Sequence, residues 1–157
     1  MTPAILAAQA AGVVVKAHPY RHDPSATNYG LEAAAALGLD PARVFKTLLV
    51  MRDGDPRQLA VAVVPVSGQL DLKSMAAACN AKKVEMAEPA RAERVTGYVV
   101  GGISPLGQKR CLPTVVDTSA GGFETVFVSG GRRGLDIEIA PGDLVRLCEA
   151  TMATIGR

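Results

Sequence analysis

The chain has 157 residues, 48% of them apolar but only 4% aromatic, and a net charge of +2. That length suits a single domain over residues 1–157 and buries a core without disulfide or metal staples. The charge is too small to argue for nucleic-acid or membrane binding by itself, and no apolar run approaches the length of a membrane span.

Thr2 is placed to cap a helix that Pro3 opens and that runs to about Ala11, before Gly12. Val13–Val15 reads as a strand, and His18–Pro24 as a proline-broken loop. Leu31–Leu37 is an alanine-rich helix ended by Gly38, and Asp40-Pro41 opens a short turn. Val44–Met51 and Leu59–Val64 are β-branched and apolar, and Asp53–Pro56 between them predicts a hairpin. Asp71 caps a helix through Cys79, Val84 marks a short strand, and Glu88-Pro89 opens a helix closed by Gly97. Thr114–Val116, Glu124–Val128 and Leu135–Ile139 read as strands, the last two joined by a glycine-rich turn, Ser129–Gly134. Pro141-Gly142-Asp143 starts a last helix. The elements do not alternate regularly enough for a doubly wound parallel sheet. They predict a mixed α/β fold, a mostly antiparallel β-barrel or strongly curved sheet with flanking helices.

Several stretches could carry chemistry. Alternation puts Lys46 on an apolar strand face with Leu48 and Val50. It must either snorkel to water or point into a pocket and meet an anion. Gly101–Gly107 is either a tight turn needing positive φ or a nest whose N–H groups approach a ligand. Ser104 is no hydrolase nucleophile, because the second glycine of a nucleophile elbow is replaced by Leu106. Ser129–Gly134 is either a solvated hairpin turn or an anion cradle, and a strand follows it where a P-loop would need a helix. Asp136 and Glu138 share one strand face, either solvated or facing a substrate ammonium. Tyr20 lies between His18 and His22, where Pro19 breaks the helical spacing a metal site would use. No metal or other cofactor is expected. Cys79, Cys111 and Cys148 form no C-x-x-C pair, which predicts free thiols in a reducing cytoplasm.

From the first helix to the last, the chain resembles the YbaK family of aminoacyl-tRNA deacylases, relatives of the editing domain of bacterial prolyl-tRNA synthetase. The motifs that carry the resemblance are Thr2-Pro3-Ala4, His22-Asp23-Pro24, Tyr29-Gly30-Leu31-Glu32, Val44-Phe45-Lys46-Thr47-Leu48, Gly68–Lys73, Ala81–Met86, Thr96-Gly97-Tyr98, Gly101–Lys109 and Ser129–Glu138.

The resemblance implies hydrolysis of the ester between a wrong amino acid and the tRNA 3′ ribose. The implied substrate is Cys-tRNA(Pro), with Cys-tRNA(Cys) beside it, and the implied partner is prolyl-tRNA synthetase in a transient complex. The family's lysine falls on Lys46 and its oxyanion donors on Gly101 and Gly102. Substrate contacts fall on Tyr20, Tyr29, Thr47, Ile103, Ser104, Pro105, Ser129, Gly130, Gly131 and Asp136. Tyr29 stands where relatives usually carry phenylalanine, and Cys111 stands where a basic residue is common, which removes one phosphate contact. Ala-tRNA(Pro) deacylation, or an idle tRNA- or synthetase-binding adaptor, are the alternatives on the same scaffold.

Overall fold

The computed structural model describes residues 1–157. Thr2 caps α1 (Pro3–Ala10), its hydroxyl accepting the Ile5 N–H. Val13 N–H then closes onto Ala8 O at 2.9 Å. Val13–Val15 therefore finish the helix end and join no ladder, contrary to the strand expected there. The strand comes later, as β1 (Lys16–Pro19), and takes in His18 and Pro19 where a loop was expected. Proline is tolerated because β1 is the edge of its sheet.

α2 (Tyr29–Leu37) begins two residues earlier than its apolar pattern suggested. The Asn28 side chain accepts the Leu31 N–H and so supplies the cap, while left-handed Gly38 ends the helix. β2 (Phe45–Arg52) and β3 (Asp55–Pro65) form the expected hairpin. Its two loop residues, Asp53 and Gly54, both have positive φ (52° and 69°), as tight hairpins favour. α3 (Leu72–Ala78), β4 (Val84–Met86), α4 (Pro89–Thr96) and β5 (Thr114–Asp117) follow as the sequence suggests.

β6 (Val126–Arg132) overruns its expected end. Ser129–Arg132 remain in the strand, and the register shift across them is a β-bulge, so only Arg133 and Gly134 turn before β7 (Leu135–Ile139). α5 (Pro141–Leu147) is the last helix. β8 (Thr151–Ala153), which no apolar run announces, completes the order.

The strands form a five-stranded sheet, β4-β2-β3-β5-β8, and a three-stranded sheet, β1-β7-β6. Four pairings are antiparallel; β3–β5 and β5–β8 are parallel. One isolated bridge, Val44–Phe127, joins the sheets, so the ladders do not close into the barrel that was one of the two expected forms.

The larger core lies between the sheets, where Phe45, Leu49, Val61 and Val63 meet Val126, Val128, Ile137 and Ile139. Behind the five-stranded sheet, Val50, Ala60, Ala62 and Val64 pack on Met75 and Ala76 of α3. β3 is thus buried on both faces, which explains its continuous apolar run from Leu59 to Val64.

Candidate active site

A cavity of about 340 Å³ opens between the N-terminus of α2, the first half of β2, the loop after α4 and the strands β6 and β7. The bridge Val44–Phe127 sets its level. It carries the mouth of β2 alongside β6, and two residues further on Lys46 and Ser129 both reach the cavity. β4 pairs with β2 over Val50–Arg52 and Ala87 N–H adds a bond to Leu49 O at 2.9 Å, so Phe45–Leu48 keep one open edge. The cavity wraps around that edge, which is how Lys46 and Thr47, on opposite faces of the strand, both line it.

Eight of the expected residues line the cavity: Tyr20, Tyr29, Lys46, Thr47, Gly101, Ile103, Ser129 and Asp136. Five stand behind its wall. Gly102 donates its N–H to Val99 O at 2.8 Å, so it is not free to donate to an oxyanion. Ser104 is fully buried, with its hydroxyl accepting Leu106 N–H at 3.2 Å, and Pro105 O accepts the Cys148 thiol at 3.3 Å. Gly130 O accepts the Thr2 hydroxyl, and Gly131 N–H donates to Ser129 Oγ at 3.1 Å. These five do not line the cavity, and their hydrogen bonds hold the loop after α4 and the bulged end of β6.

Lys46 neither snorkels fully nor forms an ion pair. Its Nζ donates to Gly68 O at 2.9 Å, and burial holds its pKa below the usual lysine value. One of its three protons is thereby engaged, and the others remain available. Thr47 Oγ1 is buried without any partner, a polar atom held in the cavity wall at a cost.

Asp136 is the sharper feature. It is 5% exposed, and burial alone pushes its carboxyl to about 7. Its companion on the same face, Glu138, is satisfied by Thr125, His18 and Arg43 and stays below the ordinary carboxylate range. The alternation that grouped the two carboxylates was right, but only one of them lacks a counter-charge. Tyr20 is also raised, by burial first and by Asp136 second.

The glycine loop serves two ends at once. Val99–Gly102 is a turn whose third residue, Gly101, has φ +88°, as a type II turn requires. The N–H groups of Gly101 and Ile103 have no partner within the chain. Ile103 rather than Gly102 is thus the second available donor, a difference that glycine spacing does not reveal. α2 directs its N-terminus, with Asn28, Tyr29 and Gly30, at the same space, which adds positive potential. Phe45, Leu49, Ala92 and Val100 supply apolar wall.

The two histidines are occupied elsewhere, His18 with Glu138 at 3.0 Å and His22 with Glu32 at 2.8 Å. No helix is long and apolar enough to cross a membrane.

The aminoacyl-tRNA editing domain model matches residues 23–147. EbsC of Enterococcus faecalis, named for Cys-tRNA(Pro)/Cys-tRNA(Cys) deacylation, is 40% identical over 122 residues, 78% of this chain and 73% of its own length. The proline–tRNA ligase of Acidithiobacillus ferrooxidans is 33% identical over 89 residues, 57% of this chain and 15% of the ligase. Among solved structures, hypothetical protein APE2540 superposes with a TM-score of 0.87 at 26% identity over 99% of both chains. A structure described as a trans-editing enzyme for prolyl tRNA synthetase superposes with a TM-score of 0.79 at 22% identity, covering 100% of this chain and 99% of that one, a likeness of fold. Sequence and fold agree over most of the chain, which therefore belongs to the aminoacyl-tRNA editing domain family, of the YbaK type.

Proposed function

We propose that the protein is an aminoacyl-tRNA deacylase that clears Cys-tRNA(Pro), and Cys-tRNA(Cys) beside it, by letting the substrate's own thiol cleave the ester. The observation that carries this reading is the uncompensated Asp136 carboxyl in a cavity whose other charged group is Lys46. An aminoacyl ester presents the matching groups, an α-ammonium for Asp136 and a phosphate-bearing 3′ end for Lys46. Its carbonyl oxygen falls to the unpartnered N–H groups of Gly101 and Ile103. Tyr20, Tyr29, Thr47 and Ser129 complete the contacts to the aminoacyl group and ribose.

The cavity holds no thiol of the protein. Cys79 is buried and raised by that burial, Cys148 is pushed up to about 12 by burial, and Cys111 is raised by Glu149. None has the lowered pKa of a nucleophile. In the proposed step the substrate sulfur bonds to its own carbonyl carbon and the carbonyl–ribose bond breaks. The thiol proton passes to the departing ribose oxygen, leaving a thiolactone and free tRNA. The site supplies orientation and charge stabilisation only. A Cys79/Cys111/Cys148 triple alanine variant is expected to deacylate Cys-tRNA(Pro) within about threefold of wild type, since none of these residues lines the cavity. Loss of activity in a folded triple variant would argue against the substrate-thiol step.

The resemblance to prolyl-tRNA synthetase editing domains supports tRNA(Pro) as substrate and the synthetase as a transient partner. The low net charge supports the partner as well, because little electrostatic affinity for tRNA is available. The deciding experiment charges tRNA(Pro) with cysteine, alanine or serine and follows deacylation with and without prolyl-tRNA synthetase. Rapid loss of cysteine alone is the expected result. Rapid loss of alanine would shift the reading to an alanine deacylase, and binding without cleavage would make the chain an adaptor.

A further inference from the structure

The peptides on either side of Val100 are held by two charged side chains. The Val100 N–H donates to Glu93 Oε2 of α4 at 2.8 Å, and Val100 O accepts from Arg133 Nε at 2.9 Å. Arg133 stands in the turn between β6 and β7, and its guanidinium carbon lies 4.7 Å from the centre of the Tyr29 ring. A Cβ on Gly101 would meet that ring at 2.8 Å, and one on Gly102 would meet Arg132 Cα at 2.7 Å. Turn, ring and loop are therefore in contact at several points.

The peptide between Val100 and Gly101 is trans, so the Gly101 N–H points opposite to the Val100 carbonyl. Arg133 is exposed and approaches that carbonyl from outside, while Gly101 lines the cavity with its N–H unpartnered. A cationic donor on an amide oxygen draws charge through the amide and strengthens the N–H on the far side as a donor.

We infer that Arg133 is a positioning residue, which orients and polarises the Val100–Gly101 peptide so that Gly101 N–H becomes the stronger donor to an oxyanion in the cavity. The kinetic half of this inference rests on the deacylase reading; the amide half stands on the geometry alone. Because Arg133 is exposed, a direct contact to a substrate phosphate is the rival role. The two differ in where the effect falls. A phosphate contact acts on KM and on the salt slope, whereas a polarised oxyanion donor acts on kcat.

The test combines deacylation kinetics on Cys-tRNA(Pro) with the assigned ¹H–¹⁵N spectrum of the full chain, for wild type, Arg133→Ala, Arg133→Gln and Arg133→Lys. Arg133→Ala is expected to lower kcat roughly tenfold, part of what a whole oxyanion donor supplies, with KM within about twofold. The same change moves the Gly101 amide proton upfield. Arg133→Lys, which retains the charge but not the planar fork, recovers part of both effects. An unmoved Gly101 amide in Arg133→Ala would overturn the inference. So would a loss confined to KM with a shallower salt slope. If wild type cleaves no aminoacyl-tRNA, the deacylase reading fails, and the Gly101 shift alone still decides whether Arg133 polarises the peptide. If Arg133→Ala does not fold, Arg133→Gln, which retains an N–H donor without charge, carries the same comparison.

Discussion

Replacing Asp136 with asparagine is expected to stabilise the protein above pH 7 while crippling it as a deacylase. The carboxyl has an ordinary value of 3.8 when exposed and about 7 in the folded chain. The native state therefore holds a proton that the unfolded chain has already lost, and wild-type stability falls as pH rises from about 4 to about 7. The shift corresponds to roughly 4 kcal/mol, as an upper bound. Asparagine has no proton to lose, so the variant escapes this penalty. At pH 8 its Tm should exceed that of wild type by several degrees, and at pH 4 the two should coincide. A Tm difference that ignores pH would mean that Asp136 is not strained in this way.

The same substitution removes the counter-charge proposed for the substrate ammonium. A charge-assisted hydrogen bond contributes about 1.5–3 kcal/mol, so kcat/KM should fall roughly 10- to 150-fold at pH 8. In wild type, kcat/KM should decline about tenfold per unit below pH 7 as Asp136 takes up its proton, and this limb should be absent in the variant. A site that destabilises its own fold to keep a charge available is a common compromise between stability and function.

Lys46→Ala should reduce deacylation of Cys-tRNA(Pro) by roughly 10- to 150-fold, since a charge-assisted hydrogen bond to the phosphate-bearing 3′ end contributes about 1.5–3 kcal/mol. Lys46 forms no ion pair, and its Nζ donates to Gly68 O at 2.9 Å. Removing it should therefore leave Tm within a few degrees of wild type. Lys46→Arg is expected to restore little, because a planar guanidinium cannot hold Gly68 O and reach the same point in the cavity. Activity close to wild type in Lys46→Ala would refute the assigned role of this lysine.

Local rules carried much of the molecule. Thr2, Asp71 and the Asp53-Gly54 pair act as their side chains and φ angles dictate, because caps and tight turns are closed by neighbours within a few residues. They failed where pairing comes from far away. Val13–Val15 look like a strand, but only Lys16–Pro19 find β7 as a partner, more than 110 residues on. The Ser-Gly-Gly run reads as a turn, yet it is a bulged strand held by the Thr2 hydroxyl on Gly130 O. β8 has no apolar run of its own and exists because β5 offers it an edge.

For the cavity, composition and spacing left two readings open for the lysine, the glycine loop and Asp136 alike, and the resemblance to the YbaK family is what drew them into one expected site. Only the tertiary structure decided which of their polar groups are left without a partner. It gave the Gly102 N–H to Val99 and left that of Ile103 free. It satisfied Glu138 and left Asp136 without a counter-charge, though the two are indistinguishable by alternation. Whether Lys46 snorkels to water or points into a pocket is decided in the same way. Backbone bonding on the β4 side of β2 stops at Leu49, and the open edge before it lets a half-buried lysine line the cavity while a backbone carbonyl holds one of its protons. Hydrogen bonds between distant segments are absent from any local pattern, and they decide which polar groups remain available for chemistry.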